Sequence, residues 1–228
     1  MNIPKLRKEK HVKTYHEYKL IDEYAYVDQE DILSVLKDPK KLLPEVKKYI
    51  EENNKITEEY FTDTKNIQKK LFNEIKSKIK LEDTSLKFKD KNYYYWTKTE
   101  LKGNYGKKIR QLIDGSQPEE LYFDGDVEKE KYGSEYFGLG SVNVSHSDEF
   151  LGYSLDLKGS EYYTIYIREI STKKNLIDKI ENTSGSITWS LDSKSFFYAK
   201  LDKFHRPRKI YKHILGTDTK DDVLIFEE

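Results

Sequence analysis

The sequence predicts a mainly β fold with an N-terminal α-helical arm, the β part being an incomplete β-propeller of about three four-stranded blades. Three observations predict it. Apolar residues keep a helical spacing through roughly the first eighty positions, then give way from about Leu86 to short aromatic strands. No helical stretch of ten or more residues interrupts those strands. A unit of turn, aromatic strand, Ile-Tyr strand and apolar strand then recurs at the roughly 40–50-residue period of propeller blades.

The arm is assigned to residues 1–84. In LPEVKKYIEENNKITEEYF, Val46, Tyr49, Ile50, Ile56 and Tyr60 fall near one helical face. Pro44 suits a first turn, and Glu45 beside it favours the positive end of the helix dipole. A second helix is read in TKNIQKKLFNEIKSKI, where Ile67, Leu71, Ile75 and Ile79 recur every fourth residue as a narrow apolar stripe. Asp63 or Thr64 is its candidate cap. The pair reads either as a helical hairpin packed on itself or as an arm that docks on another domain.

The propeller segment is assigned to residues 85–228. Its strands are LKFKD, NYYYWTKTE, KKIRQLI, ELYFD, FLGYSLD, YTIYIREI, SITWS, SFFYAKLD, RKIYKHI and VLIFEE, punctuated by Gly, Asp, Asn and Ser. The repeat groups them. Asp148 recurs as Asp192 (192 − 148 = 44), Tyr153 as Tyr198 (198 − 153 = 45) and Tyr166 as Tyr211 (211 − 166 = 45). A weaker copy aligns Tyr95, Ile109 and Tyr122 with Tyr198, Ile210 and Ile225. Blades are therefore expected at roughly 86–126, 137–181 and 182–228. Such a sheet has two apolar faces and needs a neighbour on each. The aspartates Asp148 and Asp192 are read as turn formers that bond their own backbone, and Trp189 as filler between sheets.

Composition excludes several functions. The 41 basic residues balance 41 acidic ones, so bulk charge favours neither nucleic acid nor a membrane surface. The absence of cysteine removes disulfides and thiolate chemistry. The start MNIPKLRKEKHVKTYHEYKL has no apolar core of a secretory signal, and no run reaches the roughly 20 apolar residues of a membrane helix. A cytoplasmic protein is expected.

Motifs for chemistry are incomplete. HEYKL begins like a zinc helix but has Leu20 where the second His belongs. His11 and His16 lie in a polar stretch, and His146, His205 and His213 read as turn or surface residues rather than ligands. DGDVEKEKYG lacks calcium-loop spacing and reads as a solvated turn. GLGSVN lacks the third glycine of a dinucleotide loop. No catalytic, cofactor-binding or metal-binding residue is assigned, and no cofactor is expected.

The ordered set of segments resembles the oligopeptidase B branch of the prolyl oligopeptidase family of serine peptidases. The arm carries the Pro-Glu-Val, Tyr-Ile and Glu-Asn elements of LPEVKKYIEENNKITEEYF, although Tyr26 stands where that family usually has Trp. KNYYYWTKTELKG resembles the entry to the first blade. The segments running from EELYFDGD to YTIYIRE and from GSITWSLD to VLIFEE resemble successive blades. His205-Arg206-Pro207, Ile210-Tyr211, His213 and Leu215-Gly216-Thr217 favour the branch. The resemblance covers about residues 14–228. It implies a seven-bladed propeller that admits only short peptides to an α/β-hydrolase domain. Cleavage there follows Lys or Arg through a Ser-Asp-His triad.

No Gly-x-Ser-x-Gly elbow occurs here, because no two glycines are four apart, so this chain alone is expected to be inactive. The alternatives are a stand-alone propeller-type module that binds a protein or peptide, and the remnant of a decayed gene.

Overall fold

Strands and turns alternate through most of the chain because β-branched and aromatic runs are broken every six to ten residues by residues that favour reversals. The computed structural model describes residues 3–228; Met1 and Asn2, the first two residues of the predicted arm, lie outside the described residues. The chain divides into two compact units, residues 1–79 and 80–228.

The first unit opens with a hairpin, β1 (His11–Tyr15) and β2 (Tyr18–Asp22), in a segment expected to be helical. His16 takes the left-handed conformation in its tight turn (φ 54°). Helices α1 (Ile32–Lys37), α2 (Pro44–Tyr60) and α3 (Lys65–Ser77) follow. Pro44 and Glu45 open α2 as expected. On the predicted face of α2 only Val46 is fully buried. Thr64 sits at the start of α3 but makes no cap bond there; its hydroxyl donates to Phe61 O instead. The stripe Ile67, Leu71, Ile75 and Ile79 is 50–62% exposed. Tyr26 donates its hydroxyl to Arg7 O at 3.0 Å and lies under the Arg7 guanidinium, 4.2 Å from the ring centre.

The second unit holds three four-stranded blades in sequence. Blade 1 is built on β5 (Tyr93–Thr99), β6 (Lys107–Leu112) and β7 (Glu120–Asp124). Its first strand is split into β3 (Asp83–Thr84) and β4 (Phe88–Asp90), both paired to β5. Helix α4 (Gly125–Tyr132) leads to blade 2: β8 (Gly138–Val144), β9 (Phe150–Asp156), β10 (Tyr163–Glu169) and β11 (Lys174–Thr183). Blade 3 is β12 (Thr188–Trp189), β13 (Ser195–Lys200), β14 (Lys209–Ile214) and β15 (Val223–Glu227). All pairs are antiparallel. Blades 2 and 3 are linked into one eight-stranded sheet where the end of β11 meets β13: Thr183 pairs with Lys200, Ser184 N donates to Ala199 O and Leu201 N to Asn182 O.

One expectation is corrected. DGDVEKEKYG is the helix α4, not a solvated turn. The Asp124 carboxylate accepts from Asp126 N and Val127 N at its start, and Gly133 ends it in the left-handed conformation (φ 57°). GLGSVN, rejected above as a dinucleotide loop, is most of β8. Its glycines, which argue against a strand in isolation, are set by close packing: a Cβ at Gly140 would stand 2.4 Å from Ser154 Oγ.

The core lies between the blades. Tyr95, Phe123, Phe137, Leu151, Tyr153 and Leu155 form one cluster where blades 1 and 2 meet. Ile165, Ile167, Ile180, Trp189, Phe196 and Tyr198 form the second, between blades 2 and 3. The repeat follows from this: each blade hides its apolar face only against the next.

Candidate functional site

The repeated turn between the first and second strands of a blade sets the geometry at each seam. In blade 2, Ser145 N donates to Phe150 O and Asp148 N to Ser145 O; in blade 3, Ser190 N donates to Ser195 O and Ser193 N to Ser190 O. The structural match is therefore a uniform 45 residues. Asp148 corresponds to Ser193 (193 − 148 = 45), and both are left-handed, with φ 63° and 57°. Asp192 corresponds to Ser147, so the expected Asp148–Asp192 match is one residue out. The cause is chemical. Ser and Asp both accept a hydrogen bond from the backbone two residues on, here Glu149 N for Ser147 and Lys194 N for Asp192, so either residue can fill either turn position.

At the first seam Asp148 is buried and reaches back to blade 1. Its carboxylate accepts from the Tyr95 hydroxyl at 2.9 Å and from Asn92 Nδ2 at 3.3 Å, while its carbonyl accepts from Arg110 Nη1 at 2.6 Å. Burial, and then the bond to Asp148, push the Tyr95 hydroxyl well above the usual tyrosine range. Asp192, by contrast, stays exposed and accepts from Ser190 Oγ and Lys194 N within its own turn.

A second tie at this seam runs from α4 to blade 2. Glu128 and Arg168 are both nearly fully buried and pair at 2.8 Å. Arg168 also donates from Nε to Asn175 Oδ1 and from Nη2 to the Tyr153 hydroxyl, each at 2.9 Å, and its guanidinium lies 4.7 Å from the Tyr153 ring centre. Such a pair does not gain much over an apolar pair of the same shape, but losing one member leaves a buried charge.

At the second seam the matching position is His213 (213 − 168 = 45). It was expected in a turn or at the surface; it is fully buried in β14. Its Nε2 lies 2.9 Å from Asp178 Oδ1 on β11, and its Nδ1 lies 2.6 Å from Asp222 Oδ1 just before β15. Asp222 in turn accepts from the Tyr198 hydroxyl at 2.6 Å, and Asp178 accepts from Gly216 N at 2.6 Å. The periodicity could have flagged His213, since the same position in the preceding blade is a buried cation. Among the other histidines, His11, His16 and His146 are exposed, and His205 places Nε2 3.1 Å from Ser160 O in a half-buried turn.

The first strands of all three blades converge on an open cavity of about 370 Å³. Phe88 and Asp90 of β4, Val142 of β8, His146 in the turn after β8, and Trp189 of β12 are among its walls. Trp189 is positioned by its indole N–H, which donates to Asn143 O at 3.0 Å, and by Phe196 at 5.5 Å between ring centres. The Asp90 and His146 side chains give this wall polar atoms, but among the described residues no group of three or more His, Asp or Glu is arranged to hold a metal. No helix among the described residues is long and apolar enough to cross a membrane.

Residues 4–228 match the family model described as prolyl oligopeptidase, N-terminal beta-propeller domain. Dipeptidyl aminopeptidase BI from Pseudoxanthomonas mexicana is 25% identical over 99% of this chain and 32% of its own length. Protease 2 from Moraxella lacunata is 25% identical over 81% of this chain and 27% of its own. The solved structure of oligopeptidase B from Leishmania major superposes with a TM-score of 0.82 at 23% identity, covering 99% of this chain and 32% of that one. The chain thus spans about a third of the length of the relatives it matches.

Proposed function

The chain belongs to the N-terminal β-propeller domain family of the prolyl oligopeptidases, and from that membership we propose that it acts as the arm and first blades of an oligopeptidase B-like serine peptidase. In that role the blades restrict access so that short peptides reach an α/β-hydrolase catalytic domain, where they are cut after Lys or Arg. The work is done in the cytoplasm and needs no cofactor. The observation that carries this reading is the convergence of the first strands of three successive blades on one open cavity. In a propeller those strands surround the central channel, and side chains there meet whatever passes through it. The exposed apolar stripe of α3 adds support, as a surface suited to a further domain.

The exposed last strand supports a propeller role over a free-standing binding module, because the apolar residues Val223, Leu224, Ile225 and Phe226 of β15 are 44–56% exposed. Sequencing the coding DNA beyond codon 228 tests the proposal. Further blade-length repeats followed by a Gly-x-Ser-x-Gly segment, in one frame or in a neighbouring gene, are expected. A stretch with neither, together with a monodisperse chain that melts cooperatively, overturns it in favour of the stand-alone module.

A further inference from the structure

The buried Asp178–His213–Asp222 chain has a property that the peptidase reading does not use. We infer that it is a pH-dependent latch that holds the β14–β15 hairpin of blade 3 against blade 2 and releases it as pH rises. The inference is independent of the peptidase activity.

The geometry requires two donors. Both imidazole nitrogens of His213 face carboxylate oxygens, at 2.6 and 2.9 Å, and neither carboxylate supplies a proton while ionised. Only the imidazolium satisfies both contacts. A neutral ring leaves a lone pair facing a carboxylate and removes the single cation between two buried acids, whose side chains are 1% and 2% exposed. The other oxygen of Asp178 has no hydrogen-bond partner, so with a neutral ring only the Gly216 N–H, a neutral donor to Oδ1, faces that charge.

The groups facing the ring come from each strand packed on it. Asp178 comes from β11, Asp222 from the segment before β15, and the Tyr198 phenol from β13 through Asp222. The remaining neighbour is the Phe196 ring, 5.2 Å between centres. Burial opposes the charged ring, but the hydrogen bonds and charges of Asp178 and Asp222 outweigh it and raise His213 above its ordinary value of 6.5. For Asp178 burial opposes ionisation too, yet the His213 bond and Gly216 N hold it below the ordinary carboxylate value of 3.8.

The signs follow. A raised histidine stabilises the seam fully below about pH 6.5, and that contribution is lost as pH climbs through the folded-state value. A depressed carboxylate stabilises it above about pH 3.8 and loses this as pH falls. The latch is therefore closed in mildly acidic solution and opens on the alkaline side. Asp178 spans the seam, so opening separates blade 3 from blade 2 rather than loosening one blade internally. At the matching position in blade 2, Arg168 cannot lose its proton in this range, so the first seam lacks the response.

The test uses the whole 228-residue chain labelled with nitrogen-15. Imidazole shifts should show both His213 nitrogens protonated at pH 6.5, with titration above it. Amide exchange at Gly216, whose N–H bonds Asp178, should lose protection by about tenfold per pH unit from 6.5 up to that titration, after correction for the intrinsic base-catalysed rate, and then level. Ile170 N, bonded to Glu149 O within blade 2, should stay flat over the same range. Asp222→Asn, which offers the ring a donor, should move the step to lower pH. His213→Asn should abolish it. If that variant does not fold, the wild-type titration alone decides. Titration of His213 at or below 6.5, or Gly216 protection that ignores pH, overturns the latch.

Discussion

The seam between blades 1 and 2 and the seam between blades 2 and 3 use the same place in the repeat for a buried cation, and fill it differently. Arg168 closes the first, against Glu128 of α4; His213 closes the second, against Asp178 of β11. In both, the cation is tied to the tyrosine of the blade's second strand, directly at Tyr153 and through Asp222 at Tyr198. A repeat thus conserves the architecture of a contact while changing its chemistry. Guanidinium has a fixed charge and a planar fork that reaches Glu128, Asn175 and Tyr153 together. Imidazole is compact enough to be fully enclosed, and its charge depends on its two neighbours.

The comparison breaks most visibly at Arg168. Arg168→Met should destabilise the chain by about 3–5 kcal/mol at neutral pH, because Glu128 is left buried without its cation. Denaturant melts measure this, and a loss under 1 kcal/mol would mean that the pair is solvated. The double variant Glu128→Gln with Arg168→Met should recover much of the loss. Next in size is the anchor of the first turn. Asp148→Ala strips partners from the Tyr95 hydroxyl and Asn92 and should cost about 1–3 kcal/mol. Tyr198→Phe should cost about 1–2 kcal/mol by leaving Asp222 one donor short. The same experiment on Tyr153→Phe sharpens the contrast, since that hydroxyl serves Arg168 and Asn175 together. The smallest effect is expected at Asp192. It bonds only within its own exposed turn, so Asp192→Ala should change stability by no more than about 0.5–1 kcal/mol. Equal losses at Asp148 and Asp192 would erase the distinction between a seam anchor and a local turn former.

Particular residues show what was legible. Tyr153, Tyr166, Tyr198 and Tyr211 announced the period because a blade's second and third strands are packed on neighbours and tolerate only large apolar-bodied side chains there. Pro44 and Glu45 announced the start of α2 because first-turn chemistry is local. Strand β8 was hidden, since Gly138 and Gly140 lower strand propensity and are explained only by what lies across from them, Ser154 and Tyr163 among others. Helix α4 was hidden because its one buried acid, Glu128, looks like any surface glutamate until Arg168 is placed against it, 40 residues further along (168 − 128 = 40). The arm hairpin leaves no strand signature in the sequence because β1 and β2 are exposed throughout and carry no core-facing alternation.

By itself the sequence determined the class of fold and the repeat period, since these rest on periodicity and on local turn and helix-start chemistry that nearby residues dictate; the family was legible only as a resemblance of its ordered segments. Only the tertiary structure decided the exact register of the repeated turn, the burial of His213 and the partners of Arg168. Those depend on which charges from distant strands are brought within hydrogen-bond reach and shielded from water. Spacing along a chain does not encode that shielding; packing one blade on the next creates it.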